Sequence, residues 1–246
     1  MTMTHDRDIE IIDISPSTNS ALAAVAASRR HGYTLMAHTQ TAGRGQRGNT
    51  WEAEPGANIT MSVLLRPCAL EARRQFALSE AVSLGITDAL GIYGIDARIK
   101  WPNDIYVGDM KICGILIENS LTGNMVERSI AGIGLNVNQM QWTGTAPNPV
   151  SMAMIASRRF DVDEVAATVV DCILRRAGEI ADNPALHRSY MARLWRNRGV
   201  HPYTDTATGD RFNAAITDIA PTGHITLTLD DGSSRIYAFK EVSAML

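Results

Sequence analysis

The chain has 246 residues, 45% of them hydrophobic and 20% charged, which is typical of a folded globular protein with a sizeable core. Its formal net charge of -3 argues against broad nucleic-acid binding, which needs a basic face to displace counterions from phosphates. We find no signal-peptide pattern and no apolar stretch of membrane-spanning length, so we expect a cytoplasmic protein that binds neither nucleic acid nor a membrane.

Cysteine and histidine usage predicts neither a disulfide framework nor a metal site. Cys68, Cys113 and Cys172 are odd in number and widely spaced, which favours reduced thiols in the core. The six histidines show no ligand spacing, so we expect no structural metal.

The first 65 residues predict two strands and one helix. Residues 9–13 form a short apolar strand, and an alanine-rich stretch follows it. That stretch is typical of a helix that Thr18 or Asn19 caps and that stops near Gly32. Residues 58–65 alternate between apolar and polar side chains, which predicts a strand with one polar face.

Residues 41–51 are the most informative segment, because they combine three glycines, two arginines and a tryptophan. Glycine lets backbone N–H groups turn toward a ligand, while Arg44 and Arg47 offer planar groups that match phosphate or carboxylate oxygens. Trp51 can then cover what the loop encloses. A solvated surface turn is the other interpretation, and the loop alone does not decide between the two.

The middle of the chain predicts a helix followed by three strands. Apolar residues at helical spacing indicate a helix over 78–93 that covers the sheet. Residues 95–101 alternate as a strand. Residues 105–107 and 111–118 are typical of a hairpin, because a Gly-Asp pair joins them. This hairpin places Lys111 just past its turn.

Residues 131–138 alternate between an apolar face and a face without bulky side chains. The second face carries Gly132, Gly134, Asn136 and Asn138. Glycine inside a strand costs stability, so two on one face usually mark the close approach of a ligand or of other backbone. We expect a ligand here, with packing against a helix as the alternative.

The last third predicts two helices, over 163–181 and 184–198, with Asn183 as the cap of the second. Short strands and turns follow, which suit a small β-barrel resting on the main domain. We therefore expect two domains, residues 1–198 and residues 199–246.

Four motifs follow one another along the chain. They are the glycine-rich loop, Lys100-Trp101-Pro102-Asn103-Asp104, Lys111 leading Cys113-Gly114-Ile115-Leu116-Ile117-Glu118, and Gly132-Ile133-Gly134-Leu135-Asn136-Val137-Asn138. In this order they resemble the biotin protein ligase family, and the resemblance extends from Ser17 over most of the chain. It implies an α+β fold in which helices flank a mixed β-sheet, related to lipoate ligases and class II tRNA synthetases, with an SH3-like C-terminal domain.

The resemblance implies an enzyme that joins biotin to ATP, with Mg²⁺, and passes the biotinyl group from biotinyl-5′-AMP to one lysine of a biotin carboxyl carrier protein. Because a carboxylate must approach an anionic triphosphate, nearby cations should dominate catalysis. The implied catalytic residues are Lys111, Arg44 and Asp104, the last to orient the incoming lysine or accept its proton. On its own, Lys111 would be a solvent-facing hairpin lysine and Asp104 a turn carboxylate.

The remaining pocket residues are implied in the same way. Those expected around biotin are Ser17, Thr18, Asn19, Gln40, Gly43, Arg44, Gly45, Gln46, Lys111, Gly114 and Gly132. Those expected beside the nucleotide are Arg47, Asn49, Trp51, Asn103 and Asn136. Trp51 would cover adenine, with an ordinary core tryptophan as the alternative.

The chain departs from the family pattern at two places in the loop and at its end. Gln46 stands where many relatives carry a second arginine, and Asn49 where some are basic. The last four residues lack an arginine that some relatives place there, so the way the C-terminal domain helps to hold ATP is open. Only 16 residues precede Ser17, so we expect a form without the DNA-binding domain of bifunctional relatives.

Two other functions stay open at this point: a lipoate or octanoate ligase of the same superfamily, and a non-catalytic biotin sensor. The residues of the four motifs favour biotin, and the presence of Lys111, Asp104 and Arg44 disfavours a sensor. The sequence fixes neither the carrier protein nor the oligomeric state, since an exposed sheet edge can pair with a second copy as a homodimer or stay capped.

Overall fold

The computed structural model describes residues 8–45, 50–144, 148–181 and 183–245. Within these ranges the main sheet has seven strands. They are β1 (Ile9–Ser15), β2 (Thr34–Gln40), β3 (Ile59–Leu65), β4 (Arg98–Lys100), β5 (Asp104–Val107), β6 (Met110–Thr122) and β7 (Met125–Leu135). Their order across the sheet is β1-β2-β3-β7-β6-β5-β4. The sheet is mixed, because β1 and β2 run parallel while the other neighbours are antiparallel.

Helices cover both faces of this sheet. In the described part of the chain they are α1 (Thr18–Val25), α2 (Phe76–Ile92), α3 (Met152–Ala156), α4 (Val162–Ala177) and α5 (Asn183–Arg193). The largest apolar core lies between one face and the helices α2 and α4, where residues such as Met61, Ile86 and Val169 are fully buried. The opposite face carries α1. None of the described helices is long and apolar enough to cross a membrane.

The C-terminal segment folds as a second, antiparallel sheet. Its strands in the described residues are β8 (His201–Asp205), β9 (Arg211–Ile219), β10 (Ile225–Leu229), β11 (Ser234–Tyr237) and β12 (Val242–Ala244). The order β11-β10-β9-β8-β12 leaves β11 and β12 as its two edges. The predicted small barrel is therefore a barrel-like sheet that does not close.

The predicted strand and helix types are confirmed for most of the chain. The strands expected near 9–13, 58–65 and 105–107 are present, and the helix expected over 78–93 is α2. The strand expected over 131–138 is β7, which begins earlier and ends at Leu135. The turn motifs of the C-terminal segment also join strands as expected.

The helix after β1 differs from the prediction at both ends. Ser17 occupies the N-cap position without a capping side-chain bond, while the side chains of Thr18 and Asn19 bond to other elements. The helix stops at Val25, well before Gly32. The Arg66 guanidinium donates a 2.7 Å hydrogen bond to the carbonyl oxygen of Ala26, which satisfies the helix end there.

Three other predictions were wrong in extent or exposure. The strand expected over 95–101 is the short β4, because the N–H of Ile95 bonds to the carbonyl of Leu90 in α2 at 3.0 Å. The helix expected over 184–198 ends at Arg193, because the N–H of Trp195 pairs with the carbonyl of Ile99 at 2.8 Å. Cys68, expected in the core, is exposed, whereas the other two cysteines are buried.

Candidate active site

The predicted site residues meet in one cavity of about 830 Å³, which extends from the glycine face of the main sheet to the C-terminal sheet. Its lining includes Ser17, Thr18, Asn19, Gln40, Arg44, Gly45, Trp51, Asn103, Asp104, Lys111, Gly114, Gly132 and Asn136. Gly43 lines a neighbouring recess instead. Gln46, Arg47 and Asn49 lie outside the described residues.

A β-bulge turns Lys111 toward this cavity. The pairing between β5 and β6 shifts after Ile105, so that Tyr106 opposes Lys111 and Ile112 is an extra residue. Because side chains alternate along a strand, the extra residue moves Lys111 onto the face that carries Asp104. Lys111 Nζ lies 2.7 Å from Asp104 Oδ1, and about a quarter of each side chain is exposed.

Gly114, Gly132 and Gly134 share one face of β6 and β7, called the glycine floor here, and the tryptophan that ends the glycine-rich loop lies on it. A Cβ on Gly134 would come within 2.6 Å of Trp51 Nε1, and one on Gly114 within 3.0 Å of Trp51 Cζ3. Lys111 Nζ is 5.8 Å from the centre of the same indole. Trp51 Nε1 is buried and makes no hydrogen bond to any described group. The glycines therefore leave room for a large aromatic ring beside the cationic group.

The first turn of α1 is tied to the same floor by Asn19. Its Oδ1 accepts a 2.6 Å hydrogen bond from Ser62 Oγ, and its Nδ2 donates to Leu116 O at 3.2 Å and Glu118 Oε2 at 2.6 Å. A Cβ on Gly132 would lie 2.9 Å from Asn19 Cγ. Gly132 thus makes room for a helix side chain, which is the alternative that the sequence left open at this position.

Gln40 and Thr18 form a second link between α1 and the sheet. Gln40 Oε1 accepts hydrogen bonds from the Thr18 backbone N–H at 2.8 Å and from its hydroxyl at 3.2 Å. The same Ser62 hydroxyl that donates to Asn19 lies 2.8 Å from Thr18 Oγ1. These bonds leave the amide nitrogen of Gln40, on the cavity wall, as a donor for a polar ligand.

Glu118 is a site residue to which the sequence analysis gave no role. Its Oε2 receives Arg44 Nη2 at 3.1 Å in addition to Asn19, and Arg44 Nε donates a long 3.5 Å bond to Ser17 Oγ. Arg44 and Glu118 are both nearly half exposed, so solvent screens their ion pair and weakens it. A ligand anion can therefore replace Glu118 as the partner of Arg44 at small cost. The position of Glu118 at the end of the motif that begins at Lys111 was the available signal.

Lys100 is the second residue without an assigned role. It lies opposite Asp104 in the antiparallel pairing of β4 with β5, and it lines the same cavity. Its ammonium donates to Tyr106 Oη at 3.0 Å and lies 5.6 Å from the ring centre of Trp195. Burial lowers the pKa of Lys100, and the Asp104 carboxylate opposes that change. Asp104 therefore interacts electrostatically with two lysines, of which Lys111 forms the ion pair.

The two predicted nucleotide asparagines are anchored differently. Asn103 Nδ2 donates to Ile115 O at 2.7 Å, and the N–H of Ile115 returns a 2.9 Å bond to Asn103 O. Asn136 Nδ2 donates to Val150 O at 3.0 Å, while its buried Oδ1 finds no donor among the described groups. A buried acceptor without a partner is costly, so Asn136 offers a ligand an unused hydrogen bond.

The chain matches known proteins in sequence and in structure. Residues 13–136 match the model of the Biotin/lipoate A/B protein ligase family. A biotin–[acetyl-CoA-carboxylase] ligase of Mycobacterium tuberculosis is 30% identical over 194 residues, which cover 76% of this chain and 71% of that protein. One of Paracoccus denitrificans is 39% identical over 126 residues, covering 49% of this chain and 51% of that protein.

The fold comparison agrees with these matches. A biotin protein ligase from Aquifex aeolicus, solved with biotin and ATP, has a TM-score of 0.79 to this chain, with 21% sequence identity. The match covers 97% of this chain and 99% of that one, so both the main sheet and the C-terminal sheet have counterparts.

Proposed function

The chain belongs to the biotin/lipoate A/B protein ligase family, and from that premise we propose that this biotin–protein ligase makes biotinyl-5′-AMP from biotin and ATP and then biotinylates one lysine of a biotin carboxyl carrier protein. In the first step a carboxylate oxygen of biotin attacks the α-phosphorus and pyrophosphate leaves. In the second, the lysine amine attacks the acyl carbon, AMP leaves and a proton is released.

The Lys111–Asp104 pair on the glycine floor is the observation that carries this proposal. Two anions must meet in the first step, and a fixed ammonium lowers the cost of bringing them together. Lys111 is held for this role by the bulge, and its backbone N–H and carbonyl bond to the segment 148–150 at 2.8 and 2.9 Å. When the ligand's carboxylate and phosphate draw Lys111 away, Asp104 loses its counter-ion.

Asp104 would then serve the second step. A carboxylate that has lost its lysine attracts the ammonium of the incoming carrier lysine to the same place. Once there, the ammonium can give a proton to Asp104 or to solvent and attack as the free amine. Lys100 remains fixed by Tyr106 and Trp195, so its side chain stays close to Asp104 during this exchange.

The remaining cavity groups would bind the two substrates. We assign the polar end of biotin to the side of α1 and Gln40, and its carboxylate to Arg44 and Lys111. The nucleotide would lie toward Trp51, Asn103 and Asn136, where the unpaired Oδ1 of Asn136 can accept from the amino group of adenine.

Mg²⁺ fits this site as a companion of the triphosphate. No cluster of three or more metal-binding side chains occurs in the described residues, so the ion would rely mainly on phosphate oxygens and water, as Mg²⁺ usually does. When bound, it would neutralise phosphate charge.

We also propose a division into two domains, with residues 1–198 binding the substrates and residues 199–246 forming the C-terminal domain.

The test is to incubate the purified protein with biotin, ATP, Mg²⁺ and a biotin carboxyl carrier domain, and to weigh the carrier by mass spectrometry. We expect the mass of one biotinyl group to be added, and none when ATP is left out or the acceptor lysine is changed to arginine. Parallel reactions contain lipoate or octanoate in place of biotin. Transfer of those acids but not biotin would replace the proposal with a lipoate-type ligase. Biotin binding without any transfer would indicate a non-catalytic biotin sensor.

A further inference from the structure

The turn between β9 and β10 contacts the short loop that leads to Asp104. The indole N–H of Trp101 donates a 2.9 Å hydrogen bond to the carbonyl oxygen of Gly223 in this turn. The same indole packs against Phe239, with ring centroids 5.3 Å apart. Two parts of the C-terminal segment therefore hold Trp101.

Gly223 fits its place for two independent reasons. Its φ of +92° lies in the region that favours glycine. A Cβ there would also lie 2.7 Å from Phe76 Cδ2, at the start of α2. Phe76 in turn packs edge-on against Tyr190, with centroids 5.6 Å apart, so the ring has little room to move aside.

A second contact fixes the strand that precedes the turn. His187 of α5 places Nδ1 2.7 Å from Glu80 Oε1 of α2, and its Nε2 lies 3.4 Å from Asp218 Oδ1 of β9. Glu80 is buried, and its side chain belongs to the helical layer. The turn thus meets the main domain at Trp101, at Phe76 and, through Asp218, at His187.

The loop from Trp101 to Asn103 is attached at both ends. Trp101 bonds to the Gly223 turn, and Asn103 is clamped to Ile115 of β6 through its side chain and its backbone. Asp104 follows directly and pairs with Lys111. Trp101 and Asn103 together therefore fix the course of the chain that leads to the proposed catalytic carboxylate.

We propose that the Gly223 turn is a positioning element for the loop that carries Asn103 and Asp104, so that the C-terminal sheet acts on catalysis by fixing this loop. The consequence for catalysis rests on the proposed function. The mechanical part, that the turn holds the loop in place, does not. Gly223 and Trp101 act through Asp104 and Asn103 rather than by chemistry of their own.

The sharpest test compares Gly223→Ala with Gly232→Ala. Gly232 lies in the next turn of the same sheet with a φ of +82°, but a Cβ there would meet no atom within 4 Å. Both substitutions carry similar backbone strain, but only the first pushes against Phe76, which would shift the turn and the Gly223 carbonyl that holds Trp101. Two readouts are measured: hydrogen exchange of amides 103–107 in the protein alone, and pyrophosphate release with biotin and ATP.

We expect Gly223→Ala, but not Gly232→Ala, to speed exchange of these amides and to lower kcat about tenfold, with KM for biotin within about twofold. Equal behaviour of the two variants in both readouts would overturn the positioning role. If Gly223→Ala does not fold, Trp101→Phe, which removes the N–H donor and part of the packing against Phe239, is expected to speed the same exchange. If the unaltered protein releases no pyrophosphate, the proposed function is wrong. The comparison of hydrogen exchange would still test whether the Gly223 turn holds the loop.

Discussion

The two faces of the main sheet use glycine in opposite ways. On the face that α2 and α4 cover, called the helical face below, Gly85 of α2 lets α4 approach so closely that a Cβ would lie 2.6 Å from the Cα of Ile173. On the site side, Gly132 and Gly134 face the ends of two side chains, Asn19 and Trp51. The backbone of a packed helix cannot move away from an added methyl group, whereas a side chain can. The first face is therefore packed rigidly, whereas on the second the Trp51 indole, which makes no hydrogen bond to a described group, can be displaced.

The largest effect should come from the charge on the site face. We expect Lys111→Met to slow adenylate formation by on the order of 100-fold, because transition-state charge stabilisation of this kind contributes about 3 kcal/mol. Pyrophosphate release without carrier measures it. Urea unfolding is the control, since a side chain at the cavity wall contributes little packing. A rate equal to that of the unaltered protein would remove Lys111 from the mechanism.

The helical face should respond in stability rather than in rate. Gly85→Ala is expected to lower the free energy of unfolding by about 1–3 kcal/mol, because the added methyl group overpacks a backbone contact. Gly91→Ala in the same helix is the matched control, since a Cβ there meets nothing within 4 Å and alanine favours helix. Similar urea midpoints for the two variants would contradict the close contact.

Gly134→Ala is expected to weaken nucleotide binding more than it lowers the stability of the fold. The methyl group would displace the Trp51 indole, so we expect KM for ATP to rise about tenfold, which corresponds to about 1.4 kcal/mol. The check is a double-mutant cycle with Trp51→Ala, in which the effect of Gly134→Ala should largely disappear. If the effect persists at full size in the double variant, the indole is not its cause.

The smallest effect is an acid sensitivity of the helical face. Burial alone would raise the pKa of Asp88, but the hydrogen bond and charge of Arg176, with those of Arg175, hold it below the usual 3.8. A depressed pKa means that this contribution is complete above the unfolded pKa and is lost as the pH falls through the folded one.

We therefore expect Asp88→Asn to cost about 1 kcal/mol at neutral pH and less as the pH falls below about 4. Urea unfolding at pH 7 and pH 3 measures the difference. Asp96→Asn is the control, because the ion pair of Asp96 with Arg98 is largely exposed and should contribute almost nothing. A cost that does not change with pH would contradict the ionic origin.

The elements of the fold were predictable where a single segment carries the signal. The alternation around Ile59 and the helical spacing from Leu78 depend on one buried face, and the Gly-Asp turn before Lys111 specifies a hairpin by itself. The residues that form the site were predictable for a different reason, since four motifs in this order are specific for one family. All predicted site residues within the described ranges lie at the cavity or, for Gly43, beside it.

What the sequence could not show depends on pairs that are distant along the chain. Simple alternation places Lys111 and Gly114 on opposite faces, and only the extra residue Ile112 brings the lysine to the floor. Asn19 reads as a helix cap, because its partners Ser62 and Glu118 belong to other strands. The early end of α5 likewise depends on a backbone bond to β4.

The strand order has a consequence for how the chain is made. β3 must wait for β7, which is synthesised after the helix α2 and three further strands, and their pairing joins Ser62 to Gly132. Contacts so distant along the chain form slowly, because a long loop must close before they stabilise anything. On the ribosome, β1 to β3 therefore emerge with an unpaired edge. The floor, the lysine and the Gly223 turn come together only when synthesis is almost complete.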